Sequence, residues 1–383
     1  MIERIYLDHA ATTPVRDDVL AAMLPWFASY NPSSLHAEGR RARAALDEAR
    51  DAVALLLGAT RKEIIFCGSG SEADNLAIFG LARAREKHGR HLVTVATEHH
   101  AVLHAFDALA ESGFDVTVLP VDSDGGLTPE RFASALRDDT VLASVMMANN
   151  ETGAIMPIRE LATIARDRKI AFHCDAVQAA AHVAIDVVEL GVTALTLSAH
   201  KFYGPKGVGV LYLRSGTALA PLVLGGGQEF GLRSGTENVA GIVGAAKALH
   251  FAAMERDEAA SRIMILRDDF EREVLCRIPG TQALQPLQRL PHIANIAFSG
   301  ISGEELAMRL DLDGIAVSTG SACTSGAVEP SHVLAAIGLS RERCLSSLRF
   351  SLGRTTTGAQ LALAMERMIV AVADLRALSG TVA

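Results

Sequence analysis

The sequence predicts an α/β protein, with a large domain on a mainly parallel seven-stranded sheet and a smaller α+β domain beside it. Three observations carry this expectation. Seven short apolar runs recur between helical stretches. Most of these runs lack alternation of apolar and polar residues, as strands covered on both faces do. After Gly241 the pattern changes to long helical text followed by shorter strand-like runs. Strands alternating with helices in this way call for parallel pairing through crossover connections.

The runs span 63–66, 91–96, 116–119, 141–148, 170–174, 194–198 and 208–213, and are dense in Val, Ile, Leu and Ala. Between them, 40–57 and 72–88 carry charges spaced to leave an apolar stripe, the pattern of an amphipathic helix. Only a Gly/Pro turn separates the last two runs, so they are expected to pair as an antiparallel hairpin. Beyond Gly241, 242–260 and 261–276 read as two consecutive helices. Strands follow near 292–298, 315–318 and 347–352, and the N-terminal run 2–7 is expected to join them. The expected division is residues 13–250 for the large domain, and 1–12 with 251–383 for the small one.

Composition narrows the function. The chain has 383 residues, 49% of them hydrophobic, which is ample for a large core. A formal net charge of -8 argues against a general nucleic-acid-binding surface. No uninterrupted apolar run approaches the ~20 residues that cross a bilayer. Met1-Ile-Glu-Arg leads directly into a strand-like run, with no signal region. A cytoplasmic protein without membrane or direct nucleic-acid contact is expected. The five cysteines, Cys67, Cys174, Cys276, Cys323 and Cys344, are scattered, odd in number and contain no CxxC pair. Neither a disulfide framework nor a cysteine-rich zinc site follows.

Several reactive groups fall where such sheets gather ligands, at the carboxyl ends of strands. Lys201 closes the run Ala194-Leu-Thr-Leu-Ser-Ala-His-Lys201, poorly placed for solvation and well placed for imine chemistry with a carbonyl cofactor. The turn Cys67-Gly-Ser-Gly-Ser71 leads into a helix and reads either as a phosphate cradle or as a plain tight turn. Asp175 could hold a proton on a pyridine nitrogen, or serve as a helix N-cap. His99, in Glu98-His99-His100, could stack on a flat cofactor and move protons, or be structural. Asn149-Asn150-Glu151 could supply amide donors or shape a turn. Cys323 sits among Ser, Thr, Gly and Ala, and a thiolate is a soft, strong nucleophile. Cys67 and Cys174 lie in apolar strands and read as buried, inert thiols. Arg349, a charge in a strand-like segment, suits a substrate carboxylate or a structural salt bridge.

Taken together the motifs are familiar. Tyr6-Leu-Asp-His-Ala-Ala-Thr-Thr-Pro14, Asn31-Pro-Ser-Ser-Leu-His36, Thr97-Glu-His-His100, Ala148-Asn-Asn-Glu-Thr-Gly153 and Asp175-Ala-Val-Gln178 come first. Ser198-Ala-His-Lys-Phe-Tyr-Gly-Pro-Lys-Gly207, Arg233-Ser-Gly-Thr236, Gly320-Ser-Ala-Cys-Thr-Ser-Gly326 and Glu329-Pro-Ser-His332 follow in order. They resemble the cysteine desulfurases, enzymes of the NifS/IscS type in the class-V aminotransferase superfamily.

That resemblance implies a fold-type-I pyridoxal 5′-phosphate enzyme, working as a homodimer with active sites near the subunit interface. Lys201 would hold the cofactor as an imine, Asp175 would pair with its ring nitrogen, and His99 would stack over the ring. Gln178 and Asn150 would contact the ring hydroxyl or nearby groups. Gly70, Ser71, Ser198 and His200, with Thr236 of the partner subunit, would take the phosphate. Arg349 and Asn150 would hold the carboxylate of L-cysteine. The implied reaction yields L-alanine and leaves sulfur as a persulfide on Cys323. Delivery to a sulfur-acceptor or iron–sulfur scaffold protein would follow, for iron–sulfur cluster assembly or another sulfur-containing cofactor. No resident metal is implied, and Cys323 would ligate an iron–sulfur cluster only transiently.

Two rival readings accompany this one. A selenocysteine lyase-like, β-eliminating enzyme would share the cofactor and need Cys323 less. A non-catalytic sulfur-transfer scaffold is disfavoured by the presence of both Lys201 and Cys323. The sequence departs from the family pattern at Phe230, where a basic residue is frequent. It departs also in the turn Gly68-Ser-Gly-Ser71, where Ser-Gly-x-Thr is common and one hydroxyl replaces another.

Overall fold

In this computed structural model, which describes residues 4–319 and 329–379, strand β1 (Ile5–Tyr6) comes first and stands apart from the main sheet. The main sheet holds β2 (Ile64–Cys67), β3 (His91–Val95), β4 (Asp115–Leu119), β5 (Thr140–Ser144), β6 (Ala171–Asp175), β7 (Ala194–Ser198) and β8 (Gly209–Leu213). Their order is β2-β8-β7-β6-β5-β3-β4. Only β8 runs against the rest, pairing antiparallel with β2 and β7, so the expected hairpin is present. Every residue of β2, β3, β5, β6, β7 and β8 is buried, which explains their unbroken apolar text. The edge strand β4 exposes Asp115 and Val118.

A smaller antiparallel sheet is built from β9 (Thr281–Leu284), β10 (Ile293–Phe298) and, past β11 (Ile315–Ala316), β12 (Ser347–Ser351), in the order β12-β10-β9. The N-terminal β1 pairs parallel with β11, two residues each, shorter than the sequence suggested. Ile5 and Leu7 enter the core of this region with Ile263, Phe270, Phe298, Phe350 and Met365. The α/β architecture with a smaller α+β region is thus present. The strand β9 carried no legible signal, because Thr-Gln-Ala-Leu is short and half-buried.

The two helices expected over 242–260 and 261–276 are one. A single helix runs Val239–Arg277, 39 residues long. No Gly or Pro interrupts it near residue 260, and the Ser261 hydroxyl donates back to the Asp257 carbonyl at 2.8 Å, so it satisfies itself within the helix. Its first half packs Ile242, Ala245 and Leu249 into the main core, and its second half packs Ile263, Phe270 and Val274 into the smaller one. No described helix is long and apolar enough to cross a membrane.

Candidate active site

Strands β2, β3, β5, β6 and β7 all deliver candidate residues at one edge of the sheet, their carboxyl ends. After β2 the chain turns into the helix Gly70–Arg85. Ser69 caps this helix by accepting from the Glu72 N–H at 3.0 Å. Glu72 in turn accepts from the Gly68 N–H at 2.9 Å and pairs with Arg233 at 2.7 Å. A Cβ on Gly70 would lie 3.0 Å from the Ser198 Cβ, so glycine lets this turn approach the end of β7. The first N–H groups of a helix have no partner within it. Gly70 and the exposed Ser71 therefore form, with the buried Ser198, a cradle suited to an anion.

Lys201 follows β7 on a single 3₁₀ turn, Ala199–Lys201. Its Nζ donates to the carbonyls of Ala10 at 2.6 Å and Ala11 at 2.8 Å. Burial first, and then the Arg349 charge, lower its pKa to about 8, against the pull of Asp175 and Asp8. Gln178 also donates to the Ala10 carbonyl, at 2.8 Å, so here it fixes the N-terminal segment. His200 meets the Thr12 hydroxyl at 3.1 Å, and its carbonyl accepts from the Thr13 N–H at 2.9 Å. The segment 10–13 is thereby laid across the end of β7. Sequence reasoning missed the part played by Ala10 and Ala11, since backbone carbonyls leave no side-chain signature.

Asp175 ends β6 at 5% exposure, and its Oδ1 accepts from the Val177 N–H at 2.9 Å. Turns rather than a helix follow it, so the N-cap reading does not hold. Burial raises its pKa, opposed by the Val177 N–H and by Lys201. Two further buried carboxyls, Asp74 and Glu98, are pushed well above the carboxylate range by burial and then by Asp175. Asp74 was not singled out from sequence, because an Ala-rich helix does not reveal which of its polar residues turns inward.

His99 caps the helix His100–Glu111, its Nδ1 accepting from the Ala101 N–H at 3.1 Å. Desolvation and then Lys201 lower its pKa to about 4, so the ring is neutral near pH 7. Asn149 is a buried organiser, donating to the Thr97 carbonyl and accepting from Glu151 and Thr152. The Asn150 carbonyl accepts from Arg349 Nη1 at 2.9 Å, and Arg349 Nη2 pairs with Asp8 at 2.8 Å. Arg349 comes from β12, directly across from Asn295, and its buried Nε has no hydrogen-bond partner among the described residues. It thus makes the structural salt bridge while standing beside Asn150.

Cys323 lies outside the described residues, but the chain on either side of 320–328 is anchored. Ser318 exchanges two backbone hydrogen bonds with Arg349, at 3.2 and 2.7 Å. Ser331 donates to Glu151 Oε2 at 2.6 Å, and His332 Nε2 meets the Glu98 carbonyl at 2.9 Å. Thr236 is exposed. Phe230 adopts φ 61° and lies 5.1 Å from the guanidinium of Arg50, which also stacks on Phe66 at 4.7 Å. Arg50 pairs with Glu229 at 2.6 Å. Cys67 and Cys174 are buried, as expected, and burial raises both thiols.

Residues 5–363 match the family model described as Aminotransferase class-V. The chain belongs to the class-V aminotransferase family. Members of this family depend on pyridoxal 5′-phosphate, and the relatives of this chain stand among the cysteine desulfurases. It is 48% identical over 382 residues to the "Cysteine desulfurase IscS" of Dictyoglomus turgidum, covering 99% of this chain and 97% of that protein. Among solved structures, a "NIFS-LIKE PROTEIN" superposes with a TM-score of 0.92 at 36% identity, covering 97% of this chain and 100% of the other. A structure described as "SspA in complex with cysteine" gives a TM-score of 0.80 at 36% identity, over 91% and 98% of the two chains.

Proposed function

We propose that this chain is a pyridoxal 5′-phosphate-dependent cysteine desulfurase. It converts L-cysteine to L-alanine and passes the sulfur, as a Cys323 persulfide, to an acceptor protein for iron–sulfur assembly or another sulfur-containing cofactor. The observation that carries this reading is the Lys201 amine, half-buried at the carboxyl end of β7 with its pKa lowered to about 8. A lysine so placed is partly neutral near physiological pH and nucleophilic toward a carbonyl.

The surrounding residues fit the cofactor. Gly70, Ser71, Ser198 and His200 would hold its phosphate, joined by Thr236 of the partner subunit in a homodimer. Asp175, enclosed and beside Lys201, would hold a proton on its ring nitrogen. Gln178, Asn150 and the neutral His99 would flank the ring. When bound, the cofactor supplies an electron sink for the substrate's Cα.

Lys201 then moves the proton at Cα, and Arg349 with Asn150 orients the substrate carboxylate. Cys323 as thiolate takes the substrate sulfur: the carbon–sulfur bond breaks, a sulfur–sulfur bond forms, and the electron pair left on carbon is protonated. Thiol plus L-cysteine gives persulfide plus L-alanine, with no external oxidant. We assign residues 13–250 to the cofactor-holding domain, and 1–12 with 251–383 to the domain that carries Cys323. The cytoplasm, a reducing compartment, suits a free thiol of this kind.

Two variants test the assignment. Lys201→Ala should lose the borohydride-fixed cofactor mass on its peptide, with alanine production down by ~10²- to 10⁴-fold. Cys323→Ser should keep the bound cofactor yet form no persulfide. Alanine release by Cys323→Ser at the wild-type rate would remove Cys323 as the sulfur acceptor.

A further inference from the structure

Glu151 has no part in the reaction as derived so far, yet it stands next to Asn150 and is only 3% exposed. A buried carboxyl is costly unless its oxygens are paired. Its partner is Ser331, 180 residues away in sequence and itself 5% exposed, donating at 2.6 Å. The same serine oxygen accepts from the Leu334 N–H at 3.2 Å, capping the short helix His332–Ala336. The backbone of Glu151 is fixed as well. Its N–H donates to Asn149 Oδ1 at 2.8 Å, and its carbonyl accepts from the Asn295 amide at 3.2 Å.

The contacts join into one path. Ser318 is paired to Arg349 through the backbone, Arg349 reaches the Asn150 carbonyl, and the next residue, Glu151, holds Ser331. The described chain on both sides of 320–328 is therefore tied together through the two residues assigned to the substrate carboxylate. We infer that Glu151 is a positioning residue for sulfur transfer, holding Ser331 in register with Arg349 and Asn150 so that the Cys323 thiol meets a correctly seated substrate. It acts through Ser331 and does not touch the substrate. The inference rests on the desulfurase reading above. Proximity effects of this kind are sensitive to displacements near 1 Å, so one lost tether has a large effect.

A double-mutant cycle on the holoenzyme tests it, with Glu151→Ala, Ser331→Ala and the pair. The readouts are single-turnover persulfide formation on Cys323 and the dissociation constant for L-cysteine from absorbance titration. Each single variant should slow persulfide formation by about 10-fold, and the pair by no more than either single change. L-cysteine affinity and cofactor content should stay within about 2-fold of wild type. Glu151→Gln and Ser331→Thr, which keep an acceptor and a hydroxyl, should restore most of the rate. If Glu151→Ala does not fold, Ser331→Ala against Ser331→Thr carries the same comparison. Losses that multiply in the pair, or an unchanged persulfide rate in the single variants, would overturn the inference alone. A wild-type enzyme that makes no alanine from L-cysteine would instead remove the reading beneath it.

Discussion

Lys201 and Arg349 lie within electrostatic reach of each other but come from different sheets, and the two sheets treat their charges differently. Lys201 leaves the end of β7, where desolvation dominates, and its two carbonyl partners do not restore the lost hydration. Arg349 sits in the middle of β12 at 5% exposure, yet it meets Asp8 and the Asn150 carbonyl. The larger sheet thus tunes proton affinity by burial, while the smaller one fixes geometry by pairing. A carboxylate-binding group is useful when its charge is permanent, and an imine-forming amine when its charge is easily lost.

The largest effect expected from this contrast is on the reactivity of Lys201. In the apoprotein an acylating probe should modify it with a midpoint near pH 8, against 10.5 for an ordinary lysine. A lowered pKa leaves more amine neutral at lower pH, so labelling should rise through pH 8 and level off above it. Well below both values the neutral fraction should exceed that of an ordinary lysine by more than ~100-fold. A midpoint at 10.5, read by peptide mass spectrometry, would break the comparison on the side of the large sheet.

Arg349→Lys probes the other side. The charge survives, but the planar fork that reaches Asp8 and Asn150 does not, so KM for L-cysteine should rise by ~10- to 100-fold. Cofactor binding should be little changed. A KM within about 2-fold of wild type would show that charge alone suffices there. The smallest effect belongs to a site that serves neither role. Phe230→Ala removes one of the two rings stacked on Arg50 and should lower stability by about 1 kcal/mol, read from a denaturant midpoint. No shift would mean that Phe66 and Glu229 hold Arg50 without it.

Legibility in the sequence followed the same divide. Six of the seven strands of the large sheet are enclosed on both faces, so their apolar runs announce them, and the residues just past their ends are found with them. Asp175, Lys201 and the Gly70 turn belong to that class. The smaller region was harder to read. No residue of the long helix is buried between Leu249 and Ile263, where it passes from one core to the other. Phe251, Ala252, Ala253 and Met254 keep that stretch apolar, so the sequence does not mark where one helix leaves the first core for the second. Glu151 lay within a motif singled out from sequence, but its tie to Ser331 spans elements that only the tertiary fold brings together.

The uninterrupted helix Val239–Arg277 has a mechanical consequence. At 39 residues it extends about 58 Å, a single girder with one end set in each hydrophobic body. Loosening either end frees apolar surface in the other, so heat or denaturant should dismantle both bodies in one concerted step.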